Sequence, residues 1–111
     1  MFSFIKNIFK ETLHKACKKG DIEAVKQHLA SGADVNAKDG LYGTTPLHHA
    51  AYEDHKEVAE LLIDKGSDVN AGDKRGRTPL DWAVALKRIE TADLLRKHGG
   101  KTGEELKAEL K

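Results

Sequence analysis

The segment Thr45-Pro46-Leu47-His48-His49-Ala50-Ala51-Tyr52-Glu53-Asp54-His55 gathers three histidines, two carboxylates and a tyrosine within eleven residues. Two chemistries use such a set. A metal centre needs three or four donors converging on one point. Acid/base catalysis needs two titratable groups within reach of one reacting atom. On a helix, the consecutive His48 and His49 diverge by about 100°, and His55 falls beyond the following turn. The donors point apart, so structural or solvated roles are expected for all three histidines, and no metal.

Other catalytic signatures are missing from the sequence. It has no Gly-rich phosphate loop, no G-x-S-x-G and no H-E-x-x-H. Ser3, Ser31 and Ser67 are the only serines, each at a terminus or an expected helix end. Cys17 is the single cysteine, so no intrachain disulfide forms. It is expected to be a small buried hydrophobe despite the neighbouring Lys18 and Lys19. A lone thiol fits a reducing compartment, and a cytoplasmic location is expected. No catalytic residue and no cofactor is assigned.

The elements that position these residues follow from an internal repeat. Thr45-Pro46-Leu47 recurs as Thr78-Pro79-Leu80, and "GADVNA" at 32–37 recurs as "GSDVNA" at 66–71. "ETLHKAC" at 11–17 lies one period before "TPLHHAA". Three copies result, over 11–43, 44–76 and 77–99. In each copy a threonine caps a short Ala-rich helix, and proline takes the first turn, where no N–H donor is needed. These first helices are expected over 12–19, 46–53 and 79–86. A second helix carries Ile22, Val25 and Leu29, then Val58, Leu61, Leu62 and Ile63, then Ile89, Leu94 and Leu95. Gly32, Gly66 and Gly99 close those helices in the left-handed conformation. Asp54 takes the place of Gly20 in the turn between helices, a backbone that aspartate tolerates.

Charged residues make up 33% of the 111-residue chain and nearly cancel, leaving +1. That balance gives no general pull toward nucleic acid. Hydrophobic content is 39%, lean for one thick core and suited to a thin stack with one wet face per element.

Period, "TPLHHA" and "GADVNA" together resemble the ankyrin repeat family over residues 11 to about 100. The resemblance implies an all-α solenoid of helix-turn-helix units joined by short β-turn or hairpin loops. It implies structural roles for Thr45, Pro46, Thr78 and Pro79. It also makes His48 and His14 bridges from the helix start to the following loop. The third copy has Asp81 in the histidine slot, and no bridge is expected there because no further loop follows.

Function in a protein of this kind is implied to sit on a concave face of loop tips and first helices. By position, the partner-binding candidates are Leu41, Tyr42, Thr44, Tyr52, Glu53, Lys74, Arg75, Arg77 and Leu86. Tyrosine and arginine are the expected anchors. The basic tips favour a protein partner that presents acidic groups. The primary reading is a non-catalytic protein-binding module acting as a monomer. The competing readings are a structural or engineered scaffold without a partner, and a membrane-peripheral adaptor.

Both ends carry expected caps. Residues 1–10, "MFSFIKNIFK", place Phe2, Ile5 and Phe9 in an amphipathic stripe with Leu13. Covering the first repeat is the primary reading, with membrane anchoring or self-association through residues 2–9 as alternatives. Gln27, His28 and Arg96 replace aliphatics on the end repeats. Residues 100–111 form a C-terminal cap, with Thr102 and Glu105 as a capping box and Leu106 and Leu110 packing back. Caps at both ends are expected of a self-contained three-repeat unit.

Overall fold

The computed structural model describes residues 11–110. The N-terminal stripe therefore lies outside the described residues, apart from Leu13, which is buried. Among the described residues there are helices and no strands. They are α1 (Leu13–Lys19), α2 (Ile22–Ala30), α3 (Pro46–Tyr52), α4 (Lys56–Asp64), α5 (Pro79–Ala85), α6 (Ile89–Lys97) and α7 (Gly103–Glu109). Each odd–even pair up to α6 is one repeat. First helices α1, α3 and α5 pack side by side in one row, and α2, α4 and α6 in another.

The sequence explains the starts. Thr12, Thr45, Thr78 and Thr102 are N-caps whose hydroxyls accept the backbone N–H three residues on. Pro46 and Pro79 occupy the first helical turn. The core is thin. Leu47, Leu62, Leu80, Leu95, Val25 and Val58 fill it, and Ala16, Ala50, Ala51, Ala59 and Ala83 let helices approach closely. Cys17 is fully buried and behaves as the expected small hydrophobe; burial pushes its thiol pKa up to about 12.

Three expectations about exposure are corrected. Ile89 is 72% exposed, because it opens α6 in the slot that Lys56 fills in α4, off the buried stripe. His28 is buried, because it shares the core-facing slot of Leu62 and Leu95. Leu110 is 88% exposed, since α7 ends at Glu109, and only Leu106 is half-buried. The C-terminal helix is instead held by polar contacts. Thr102 and Glu105 form the capping box, and the Arg96 guanidinium donates to both Glu105 oxygens at 2.8 and 3.0 Å.

Tight turns link the two helices of each repeat, with positive φ at Gly20 (73°), Asp54 (59°) and Lys87 (58°). Gly20 faces a second constraint: a Cβ there would lie 2.7 Å from the His55 ring. His55 lies against this turn and donates from Nε2 to the Lys18 carbonyl at 3.0 Å. Arg88 repeats the device one repeat later, donating from Nε to the Tyr52 carbonyl at 3.1 Å. Both satisfy helix-end carbonyls of the preceding repeat. His55 is thus an inter-repeat clamp, not a solvated residue. Gly20→Ala should cost about 2 kcal/mol or more, adding the left-handed penalty to displacement of His55. Gly32→Ala has φ 92° with nothing within 4 Å and should cost only the penalty. Urea melts compare the two, and equal losses would mean the His55 clamp contributes nothing.

Candidate functional site: the loop-tip and first-helix face

Each histidine of the opening segment has a polar partner. His48 is fully buried; its Nδ1 accepts the Thr45 N–H at 3.0 Å and its Nε2 donates to the Arg77 carbonyl at 2.8 Å. One ring thereby caps its own helix and holds the next loop. His14 donates from Nε2 to Ala37 O at 2.7 Å, reaching the following loop at a different point. Its helix is capped by Thr12 alone. Among the described residues no group of three or more His, Cys, Asp and Glu side chains converges as a metal site would require.

Asp81 departs from expectation. Its Oδ2 accepts the Thr78 N–H at 2.9 Å and the Gly103 N–H at 2.8 Å. A bridge is made after all, with reversed polarity. The segment that follows is the start of α7, which offers unpaired N–H groups instead of a carbonyl. A carboxylate accepts these where a histidine would have to donate.

His49 belongs to the loops. It donates from Nε2 to Asp39 Oδ2 at 3.0 Å, and the Thr44 hydroxyl donates to the same oxygen at 2.6 Å. Thr44, placed among the binding candidates, is only 1% exposed. It is withdrawn from the exposed face, because its hydroxyl is spent holding Asp39. One repeat on, Trp82 Nε1 donates to Asp73 Oδ2 at 3.1 Å, while Asp73 Oδ1 accepts the Arg75 and Arg77 N–H groups, each at 2.9 Å. So the slot after the bridge, His49 or Trp82, fixes the loop aspartate in both repeats. The asparagines of "DVNA" are the other loop clamps. Asn36 spans Gly66 O and Asp68 N; Asn70 spans Gly99 O and Lys101 N. Their 34-residue recurrence was the available signal.

Electrostatics follow from this bonding. Partial burial raises the Asp39 pKa, but hydrogen bonds from Thr44 and His49 outweigh it and bring the value to about 2. For His48, burial lowers the pKa from 6.5 and dominates the opposing Arg77 carbonyl bond and Asp73 charge. A histidine with a lowered folded pKa binds fewer protons folded than unfolded. Its contribution is therefore complete above 6.5 and declines as pH falls below it. Asp39 likewise contributes above 3.8 and loses that contribution as pH falls to about 2. Thermal melts from about pH 8 to about pH 5 should show falling stability, with the decline reduced in His48→Gln. A flat profile in the native protein would contradict the buried neutral imidazole.

These clamps place the candidate residues. Tyr42, Tyr52, Lys74, Arg75, Arg77 and Leu86 line one groove of about 430 Å³, with Asp73, Trp82 and Ala85. Tyr42 stays 66% exposed, on a loop whose backbone carbonyl accepts the Lys74 N–H at 2.9 Å. The Trp82 ring lies edge-on to Tyr52 (centroids 5.7 Å), His48 (5.1 Å) and His49 (6.4 Å). Trp82 joins the face without being among the candidates; an indole in a slot held elsewhere by Lys15 and His49 is the sign. Leu41 is exposed at the loop tip, and Glu53 is half-buried as the C-cap of α3; neither lines the groove. A second groove of about 590 Å³ lies one repeat earlier, lined by Thr12, His14, Lys15, Lys18, Lys38, Asp39, Gly40 and His49.

A stack of helix pairs clamped loop to loop defines the class, and the comparisons agree. The family model described as "Ankyrin repeats (3 copies)" matches residues 13–105. The chain belongs to the ankyrin repeat family. It is 40% identical over 83 residues to serine/threonine-protein kinase 12 of Arabidopsis thaliana, covering 75% of this chain and 18% of that protein. It is 39% identical over 83 residues to human ARF GTPase-activating protein GIT1, covering 75% and 11%. With ankyrin repeat-containing protein P1E11.10 of Schizosaccharomyces pombe the identity is 34% over 88 residues, covering 78% and 41%. The chain thus spans less than half the length of each of these relatives. Ankyrin repeats are non-catalytic modules that generally mediate protein–protein interaction. Among the described residues no helix is long and apolar enough to cross a membrane.

Proposed function

We propose that this chain binds another protein through the face formed by its loop tips and first helices, and has no catalytic activity of its own. One observation carries the reading: six residues chosen from repeat position alone line a single groove beside Trp82. Exposed aromatic and arginine side chains around a concave apolar floor are the composition of binding hot spots. The groove volume falls in the range of ligand sites. Absence of catalysis is supported by the use of His14, His48, His49, His55, Asp39 and Asp73 in structural bonds, and by a buried thiol with a raised pKa. A cytoplasmic setting fits that single unpaired cysteine.

The test replaces Tyr42, Tyr52, Arg75 and Arg77 together with alanine. The Arg77 carbonyl that holds His48 is backbone and survives the change. Circular dichroism should show the fold retained, with a small loss from the Tyr52–Trp82 edge contact of about 1 kcal/mol. A partner recovered by affinity capture with the native chain should bind at least about 30-fold more weakly to the variant. Intact folding with undiminished binding would remove this face from consideration.

A further inference from the structure

Cations outnumber carboxylates along this face, and its carboxylates are turned to internal bonds. Lys74, Arg75 and Arg77 surround the Tyr42–Tyr52–Trp82–Leu86 groove, and Asp73 is the single carboxylate lining it. Asp73 is already spent on the Trp82 indole and two backbone N–H groups. The earlier groove repeats the pattern. Lys15, Lys18 and Lys38 line it, and its only carboxylate, Asp39, is spent on Thr44 and His49. Lys38 and Lys74 each donate to a carbonyl of the neighbouring loop, at Gly72 and Gly40. The side chains of Lys15, Lys18, Arg75 and Arg77 have no ion-pair partner among the described residues.

The two grooves differ in their floors. The later one is apolar and aromatic. The earlier one has no aliphatic or Trp/Tyr lining and is walled by Thr12, both histidines and the lysines. His49 lines the one and Trp82 the other, and their rings are 6.4 Å apart. The grooves are therefore neighbours along one face. Adjacent first helices stand about 9 Å apart, a distance spanned by roughly three residues of extended chain.

Resting on the protein-binding reading above, we infer that the occupant is an extended acidic peptide segment with a single large apolar anchor. The anchor packs onto the surface that Tyr52, Trp82 and Leu86 form together. Carboxylates next to it meet Arg75 and Arg77. Further carboxylates, roughly three residues away, meet Lys15 and Lys18. A single-stranded nucleic acid is the less suitable polyanion. Trp82 is half-buried and turned edge-on to three neighbouring rings, which leaves it poorly presented for base stacking.

The experiment selects binders for the folded chain from a displayed library of random peptides. Selected sequences should carry one Leu, Met or Phe with Asp or Glu beside it and again roughly three positions away. Arg75→Glu/Arg77→Glu should weaken the selected peptide at least about tenfold and, used as bait, exchange the near acidic flank for a basic one. Lys15→Glu/Lys18→Glu should do the same to the far flank alone. An oligouridylate competitor should not displace the peptide at equimolar concentration. Peptides without acidic flanks, an acidic preference unmoved by both reversals, displacement by oligouridylate, or no selected peptide would each overturn the inference. These outcomes leave the wider reading standing if a folded partner still loses affinity for the four-alanine variant. Binders indifferent to Tyr52→Ala and Leu86→Ala would count against both.

Discussion

His48→Ala should lower stability by about 3 kcal/mol, the largest loss expected from any polar residue of the chain. The ring is fully buried and joins two parts of the backbone: Thr45 N–H on one side and the Arg77 carbonyl on the other. Alanine removes both bonds and strands the buried Thr45 N–H, while the Arg77 carbonyl keeps only the Asp73 N–H at 2.9 Å. That unsatisfied N–H costs about 1–3 kcal/mol, and the lost bond to the Arg77 carbonyl adds about 1 kcal/mol. Loss of the edge contact with Trp82 adds to it. In a domain of this size the midpoint should fall by roughly 10 °C or more. His49→Ala should cost much less. Its ring is partly exposed, and Thr44 continues to hold Asp39 when it is gone. Thermal and urea melts decide the matter. A His48→Ala loss under about 1 kcal/mol, or one equalled by His49→Ala, would show that the bridge does not organise the loop.

Leu62→Ala should cost a similar amount, about 3 kcal/mol, by a different route. Leu62 is fully buried in α4, the second helix of the central repeat, which packs against both α2 and α6. Leu95 fills the same slot in α6 and is just as buried. Simple transfer and cavity terms would make the two truncations equal. A repeat stack does not treat them equally, because its stability is the sum of repeat terms and nearest-neighbour interfaces. Leu62→Ala weakens two interfaces and should partly uncouple the outer repeats. Leu95→Ala weakens one. The expected signature is a larger loss for Leu62→Ala together with a shallower urea transition, reporting broken two-state behaviour. Total stability is only about 5–15 kcal/mol for a domain of this size, so the difference is readily measured. Equal losses with unchanged slopes would mean that the three repeats unfold as one block.

The sequence by itself determined the repeat and therefore the fold. Threonine caps, first-turn prolines, C-terminal glycines and aliphatic spacing are local signals, each acting within a few residues of chain. They placed α1, α3 and α5 within one residue at each boundary, and they placed the turn at Asp54. The same repeat register selected nine residues, of which Tyr42, Tyr52, Lys74, Arg75, Arg77 and Leu86 line one groove and Leu41, Thr44 and Glu53 do not. Equivalent residues of stacked units must fall on one face. Register could not reveal which neighbours a side chain meets across the stack. Thr44 lies two residues from the exposed Tyr42 in sequence yet points inward to Asp39. Asp81 matches nothing in the histidine pattern, but the free N–H groups of α7 give it a partner. Asn36, Asn70, His55 and Arg88 read as ordinary turn and helix-start residues until the next repeat is laid against them. Their hydrogen bonds span 29 to 37 positions. Only the tertiary stack decides such contacts, because both the carbonyl to be capped and the side chain that caps it are set by how two repeats approach.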